Sequence, residues 1–398
     1  MSHLNYLEKL LEGVGTEWQA LGDLVTLRRG RVMSKGFLSE NTGIFPVYSS
    51  QTANDGMIGS IDTYDFDGEY ISWTTDGANA GTIFYRKGKF SITNVCGLMK
   101  ILDENLLNYK YLYYWLTTEA KKYVYSGMGN PKLMSHQVEK ISVPIPCPNN
   151  PKKSLAIQAE IVRILDAFTT MTAELTAELT AELNMRKKQY NYYRDQLLSF
   201  EEGEVEWKTL EEVAHFANGK GHEKVISEDG KFIVVNSKFI STDGLIAKYS
   251  DSQICPLFKD DILLVMSDLP NGKALSKTFI VDEDERYTLN QRIGGITVKD
   301  KSEILPKFLH YFLDRTPQLL KHNNGVDQTN LRKGQILEVK VPILPLHKQE
   351  HIVSILDKFD KLTKSLSEGL PREIELRQKQ YEYYRDLLLS FPKSDEAA

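Results

Sequence analysis

Apolar positions spaced three, four and seven apart dominate two stretches of the chain. In the first, Ile161, Leu165, Phe168, Leu175, Leu179, Leu183, Tyr190 and Leu197 are separated by charged residues and threonines. Ile352, Leu356, Phe359, Leu366, Leu370, Ile374, Tyr381 and Leu388 repeat the pattern in the second. This is the period of a long amphipathic helix in each copy. A helix of about 45 residues is roughly 65 Å long, near the length of about 20 base pairs. So long an apolar stripe needs a partner, and the nearest is the other helix, which predicts an antiparallel coiled coil. Three tandem tetrapeptides, Thr172–Leu175, Thr176–Leu179 and Thr180–Leu183, lie inside the first helix. Each adds about 6 Å and turns its leucine by about 40°. The second copy instead carries Gly369 and Pro371, which predict a kink or break at 369–371.

Between and before these helices the pattern shortens. Tyr70–Trp73 and Ile262–Val265 are compact apolar runs that read as strands, and Thr82–Tyr85, Arg86–Lys89 and Phe90–Thr93 read as a hairpin with its turn at 86–89. Helical segments follow at 105–122 and 303–321. The class is therefore α+β, with a mixed domain of about 130 residues ahead of each helix.

The two halves are copies. Residues 158–168 (QAEIVRILDAF) recur at 349–359 (QEHIVSILDKF), and 186–200 (RKKQYNYYRDQLLSF) recur at 377–391 (RQKQYEYYRDLLLSF), both at an offset of 191, with twelve of the last fifteen residues identical. Fainter echoes join Glu17-Trp18 to Glu206-Trp207 and Tyr111–Leu116 to Phe308–Leu313. Gly127, Leu133, Gln137 and Val143–Ile145 likewise answer to Gly325, Leu331, Gln335 and Val341–Ile343. Elsewhere 19–130 and 208–328 have little in common. Leu10–Trp18 is a shortened version of Leu197–Trp207, so the order variable–constant–variable–constant starts with a stub of constant region. The divisions are 1–150, a first variable domain; 151–203, the first constant helix; 204–345, a second variable domain; and 346–398, the second constant helix and tail.

Length and charge narrow the class. At 398 residues the chain exceeds one core. Lys and Arg number 49 against 54 Asp and Glu, a net charge of −5, so nucleic-acid binding has to come from local clusters. Cys96, Cys147 and Cys255 have no metal-ligand spacing and fit a reducing cytoplasm. The first residues lack the apolar core of a signal peptide and no run is long enough to span a membrane, so a cytoplasmic protein with no membrane partner is expected.

The basic clusters sit between the predicted strands. Leu24–Ser39 holds Arg28, Arg29, Arg31 and Lys35 with no acid, and Lys220 and His222 are further candidates in the second half. After the strand at 70–73 comes Thr74-Thr75-Asp76-Gly77-Ala78-Asn79-Ala80-Gly81; after the strand at 262–265 comes a loop with Asn271 and Lys273. Ser126–Lys132, with Asn130 and Lys132, and Asn324–Lys333, with Asn324, Gln328, Asn330 and Arg332, are the third pair. Arg and Lys suit phosphates and guanine edges, Asn and Gln suit adenine edges. For any one residue a solvated turn is the commoner role; the matched positions in both halves favour the loops as groups.

Catalytic patterns are missing. There is no GxxxxGK[ST] loop, Gly127-Met-Gly129 lacks a third glycine, and no Asn-Pro-Pro-aromatic run is present to hold a base for amino methylation. His347 and His351 are four apart but lack the HExxH order, and Asp260-Asp261 is followed by no Glu-x-Lys. No catalytic residue and no metal site is expected.

The run Gly325, Leu331, Ile336, Val341-Pro342, Pro345, Gln349, Ile352-Val353, Leu356 resembles the end of a target-recognition domain entering a conserved helix of the specificity subunit (HsdS) of type I restriction–modification systems. The resemblance covers the whole chain, and the Thr-Ala-Glu-Leu repeats with Arg186–Arg194 are similar to one subgroup. It implies two target-recognition domains, each reading half of a bipartite asymmetric DNA site, with the helices as an antiparallel spacer whose tetrapeptide number sets the gap. It also implies two modification subunits that use S-adenosylmethionine to methylate adenine N6, and two restriction subunits that use ATP and Mg. This chain itself would bind no cofactor.

Overall fold

The computed structural model describes residues 9–11, 14–127, 129–201, 203, 205–269, 272–364 and 369–392. Two compact units form: residues 1–176 with 376–398, and residues 177–375. Five helices matter below: α1 (Tyr109–Glu119), α2 (Pro151–Leu197), α3 (Pro306–Leu313), α4 (Leu346–Lys364) and α5 (Leu370–Leu388).

In the first unit a six-stranded sheet runs in the order Val25–Arg29, Cys96–Ile101, Phe66–Thr74, Ile83–Ile92, Thr42–Tyr48, Met57–Ile61. Only the contact between Thr42–Tyr48 and Ile83–Ile92 is parallel. Its core joins Ile71, Trp73 and Met99 of the sheet to Tyr111, Leu112 and Leu116 of α1. The second unit holds a four-stranded antiparallel sheet, Ala214–Asn218, Ile293–Val298, Ile262–Val265, Thr278–Ile280. A three-stranded one, Tyr249–Ser250, Phe232–Val235, Tyr287–Leu289, accompanies it. Ile262–Val265 is buried at every position, as a continuous apolar run in a central strand requires.

The hairpin expected at 82–93 is different in the structure. Ile83–Ile92 is one unbroken strand, paired from Phe90 opposite Phe66 to Ile83 opposite Trp73, and the chain turns at 75–82 instead. Arg86, read as a turn residue, is buried. Its guanidinium lies 3.6 Å from the Tyr48 ring centre and donates to Ser72 Oγ at 3.0 Å and to the Asp55 carboxylate at 2.6 Å. Gly88 in a left-handed conformation opposite Gly68 lets the strand pass through that position.

The constant regions repeat in space as they do in sequence. Thr16–Ala20 pairs with Ser142–Pro146, placing Trp18 opposite Pro144; Glu206–Thr209 pairs with Lys340–Ile343, placing Trp207 opposite Pro342. In the second unit Phe200 packs on Trp207 and Trp207 on Phe312. In the first unit the equivalent aromatic is Phe391, from the end of α5, which packs edge-on against Tyr111 and Trp115, while the Trp18 indole donates to the Pro392 carbonyl at 3.2 Å. The variable–constant cycle read from the sequence thus closes on itself within the first unit.

The helix α2 is continuous over 47 residues, through all three tetrapeptides. Within the first unit its Phe168 and Thr169 meet Tyr384 and Tyr381 of α5. Within the second its Tyr193 stacks on Phe359 of α4 and its Tyr190 packs tilted against the same ring, and Phe200 beyond its end shares a cleft with His347 and His351. Both sets of contacts run antiparallel. The second helical segment is broken as expected. α4 ends at Lys364, and α5 begins at Leu370 behind Gly369 (φ +81°), where a Cβ would lie 2.5 Å from the Lys361 carbonyl oxygen. Pro371 occupies the first turn of α5, where its missing N–H costs nothing. Residues 365–368 lie outside the described residues. Among the described residues no helix is long and apolar enough to cross a membrane.

Candidate nucleic-acid interface

In the first unit three of the segments singled out from sequence converge on one end of the six-stranded sheet. Arg28 and Arg29 are exposed at the end of their strand, opposite Leu98 and Gly97. Arg31 bridges to Thr93, and its guanidinium pairs with Asp65 at 3.0 Å over the Phe37 ring. Lys35 is exposed and opens the short helix Lys35–Glu40, capped by the Ser34 hydroxyl. The loop after Thr74 closes through Gly81 N–H to the Thr74 carbonyl, and Asp76 forms a bridge with Lys132. Gly77 N–H donates to the Pro131 carbonyl at 3.0 Å and Leu133 N–H to the Thr75 carbonyl at 2.9 Å. These bonds lace loop 74–81 to loop 125–133. Asn130 and Lys132 are exposed on it, and Asn79 is half-buried with its carbonyl capping Thr82. A contact of Arg29 Nη2 with Met134 Sδ at 3.0 Å ties in the first segment. Beneath them lies Trp73, fully buried, whose indole N–H donates to the Leu133 carbonyl at 2.9 Å.

The second unit builds the same convergence from other residues. Lys220 bridges to Asn290, Met266 N–H donates to the Arg292 carbonyl, and Leu331 N–H donates to the Met266 carbonyl. Ser267–Asp268 pairs with Thr329–Asn330, and Gln328 Nε2 donates to Ser267 Oγ at 2.9 Å. The Asp268 carboxylate accepts the backbone N–H groups of Leu269, Ala274 and Leu275, which folds the loop carrying Lys273 around it; Asn271 lies outside the described residues. Asn324 Oδ1 accepts the N–H groups of Val326 and Asp327, a turn that leaves Asn324, Gln328, Asn330 and Arg332 exposed. Arg28, Lys35, Lys220, Lys273 and Arg332 are exposed and form no ion pair among the described residues. Such donors suit phosphates.

Two of the sequence candidates are enclosed. Thr75 is buried, its hydroxyl donating to Asp76 Oδ2. His222 is buried with Nδ1 against the Lys220 carbonyl and Nε2 against the Thr288 hydroxyl, both at 2.8 Å. Each shapes its loop from below. The sequence pattern did not single out Asp268, which orders its own loop, nor Asn290 and Arg86, whose partners Lys220 and Asp55 are distant along the chain; burial pulls the Arg86 pKa down while the Asp55 carboxylate opposes it. A matched glycine marks both sites. A Cβ on Gly30 would lie 2.1 Å from the Ile92 carbonyl oxygen and one on Gly219 2.0 Å from that of Asn290, so only glycine lets each basic segment run this close to the neighbouring backbone.

No group of three or more His, Cys, Asp or Glu able to hold a metal occurs among the described residues.

Comparison with known proteins agrees with this layout. The family model described as the type I restriction modification DNA specificity domain matches twice, at residues 15–185 and 202–376. The chain is similar to the type I restriction enzyme EcoR124I/EcoR124II specificity subunit of Escherichia coli, at 38% identity over 423 residues covering 99% of both chains. It is also similar to the type I restriction enzyme MpnII specificity subunit of Mycoplasma pneumoniae, at 39% identity over 178 residues covering 45% of this chain and 51% of that one. A chain from a structure describing complex assembly and conformational transition of the type I R-M system shares the fold, with a TM-score of 0.57 at 13% identity over 94% of this chain and 97% of that one. Two matches to the domain across most of the chain, with full-length similarity to a specificity subunit, place this chain in the type I restriction–modification DNA specificity family.

Proposed function

We propose that this chain is the sequence-specificity subunit of a type I restriction–modification complex. Each target-recognition domain binds one half of a bipartite, asymmetric DNA site, and the helices set the gap. The chain docks two modification subunits and two restriction subunits, to which S-adenosylmethionine and ATP with Mg belong, and is itself non-catalytic. The observation that carries this reading is the pair of loop clusters: the same three segments meet in both units, on a repeated framework, yet present different side chains. Arg28, Arg29, Lys35, Asn130 and Lys132 are the contacts assigned to one half-site, and Lys220, Lys273, Asn324, Gln328, Asn330 and Arg332 to the other. Phosphate contacts then position each domain while base-edge contacts select. Joining two short readings through a rigid spacer makes one long, specific reading.

The test is co-expression with the neighbouring modification subunit and mapping of N6-methyladenine across a genome. A bipartite motif with a fixed gap is the expected result. A stable complex, supplied with S-adenosylmethionine, that leaves no motif overturns the reading and favours a scaffold for protein partners alone.

A further inference from the structure

Both units carry the same polar arrangement where the helix of the domain meets the constant helix. In the first, Lys110 and Tyr114 of α1 converge on Asp166 of α2: Lys110 Nζ lies 2.5 Å from Oδ2 and the Tyr114 hydroxyl donates to Oδ1 at 2.7 Å. Eight residues earlier, the fully buried Gln158 accepts the Asn108 N–H at 2.9 Å and donates to the Leu106 carbonyl at 2.9 Å. In the second, Lys307 and Tyr311 of α3 converge on Asp357 of α4, both at 2.7 Å. Again eight residues earlier, the fully buried Gln349 accepts the Leu305 N–H at 2.8 Å and donates to the Glu303 carbonyl at 2.8 Å. The Lys–Tyr spacing is four in both units. Chemistry, spacing and bond directions coincide, although the domain surfaces around them have diverged.

The two ion pairs add little to stability. The side chains of Lys110 and Asp166 are 40% and 37% exposed, those of Lys307 and Asp357 51% and 32%, and ion pairs so exposed contribute little. Directional bonds converging on one carboxylate instead fix an angle. A compact domain of about 130 residues has a radius of gyration of about 14 Å and is therefore about 36 Å across. A tilt of about 5° at one edge therefore moves the far edge by about 3.4 Å, one base-pair step.

We propose that this Gln–Lys–Tyr–Asp latch fixes the tilt of each recognition domain on its constant helix, and thereby sets how strictly the complex counts the bases between its half-sites. The proposal rests on the specificity-subunit reading above. The latch residues are positioning residues: they hold the domain that reads the DNA.

The experiment uses the assembled modification complex with Asp357→Asn, Tyr311→Phe or Asp166→Asn, and Lys307→Arg as the conservative control. Methylation is measured on duplexes carrying the mapped half-sites at the native gap and at one base pair more or less, and on duplexes with one half-site base changed. The ratio of off-gap to native-gap methylation is expected to rise about tenfold in the Asp and Tyr variants, the factor one charge-assisted hydrogen bond supplies, while half-site discrimination holds within about twofold. Lys307→Arg keeps the native ratio. Rates that fall equally on every duplex, with the gap ratio unchanged, assign the latch to folding alone and overturn the proposal. A wild-type complex that methylates all gaps alike overturns the specificity reading and the latch with it.

Discussion

Trp73 and Gly97 face each other across two central strands of the first unit, and their fit supplies a quantitative test. Trp73 is fully buried, and a Cβ on Gly97 would lie 2.2 Å from its ring, so the indole occupies the space a side chain would need. Gly97→Ala forces the ring or strand aside, an overpacking cost of about 1–3 kcal/mol. Trp73→Phe removes the N–H bonded to the Leu133 carbonyl at 2.9 Å, worth about 1–3 kcal/mol, and leaves a void costing about 1–2 kcal/mol more. Combined, the substitutions relieve one another, because alanine enters the space the indole vacates. The double variant is expected to be more stable than the sum of its parents by about 1–2 kcal/mol. Hydrogen exchange on peptides covering 66–74 and 96–101 reads this locally, with 262–265 of the second unit as the unaffected reference. Costs that add to within about 0.5 kcal/mol would refute the packing argument.

Further outcomes follow from the same geometry. Gly30→Ala and Gly219→Ala should each cost about 1–3 kcal/mol, seen as faster exchange in peptides of their own unit and not of the other. Replacing Arg28 or Lys35 by Gln should weaken binding of the complex on all sequences alike and lower the slope of log affinity against log salt by about one; a change in preferred bases would contradict a phosphate role. Burial, with the neighbouring carboxylates adding, raises the pKa of Tyr311 above its ordinary 10.0, and burial with Asp166 does the same for Tyr114 against the opposing Thr169 bond. A raised folded pKa favours the neutral hydroxyl, so the contribution is complete below about pH 10 and is lost as pH rises beyond. Tyr311→Phe should shrink the alkaline limb of the unfolding profile, and an unchanged limb would sink that assignment.

What could be read from sequence was the periodic and the local. The 191-residue offset matched Phe200 with Phe391, and each packs on a tryptophan of its own unit, Trp207 and Trp115. The break before α5 was legible because Gly369 and Pro371 act on their own backbone. Convergence of the loops was legible only as matched position; the bonds that bring them together, Gly77 to Pro131 or Leu331 to Met266, join segments more than fifty residues apart. The misplaced turn at 86–89 has the same cause. Arg86 and its neighbours look like a solvated turn until Asp55, Tyr48 and Ser72 are set around the guanidinium. His222 has the chemistry of a ligand or base contact, and the Lys220 carbonyl with the distant Thr288 hydroxyl satisfies and encloses it.

In the proposed function each unit reads its own half of one site. The most direct measurement of this is the adenine-methylation motif of complexes altered in one loop cluster at a time, Asn130→Ala with Lys132→Ala in the first unit, and Asn330→Ala with Arg332→Ala in the second. Each pair is expected to relax bases in one half-site, a different half for each pair, with the other half and the gap retained. Motifs that change in both halves together, or in neither while methylation persists, would contradict it.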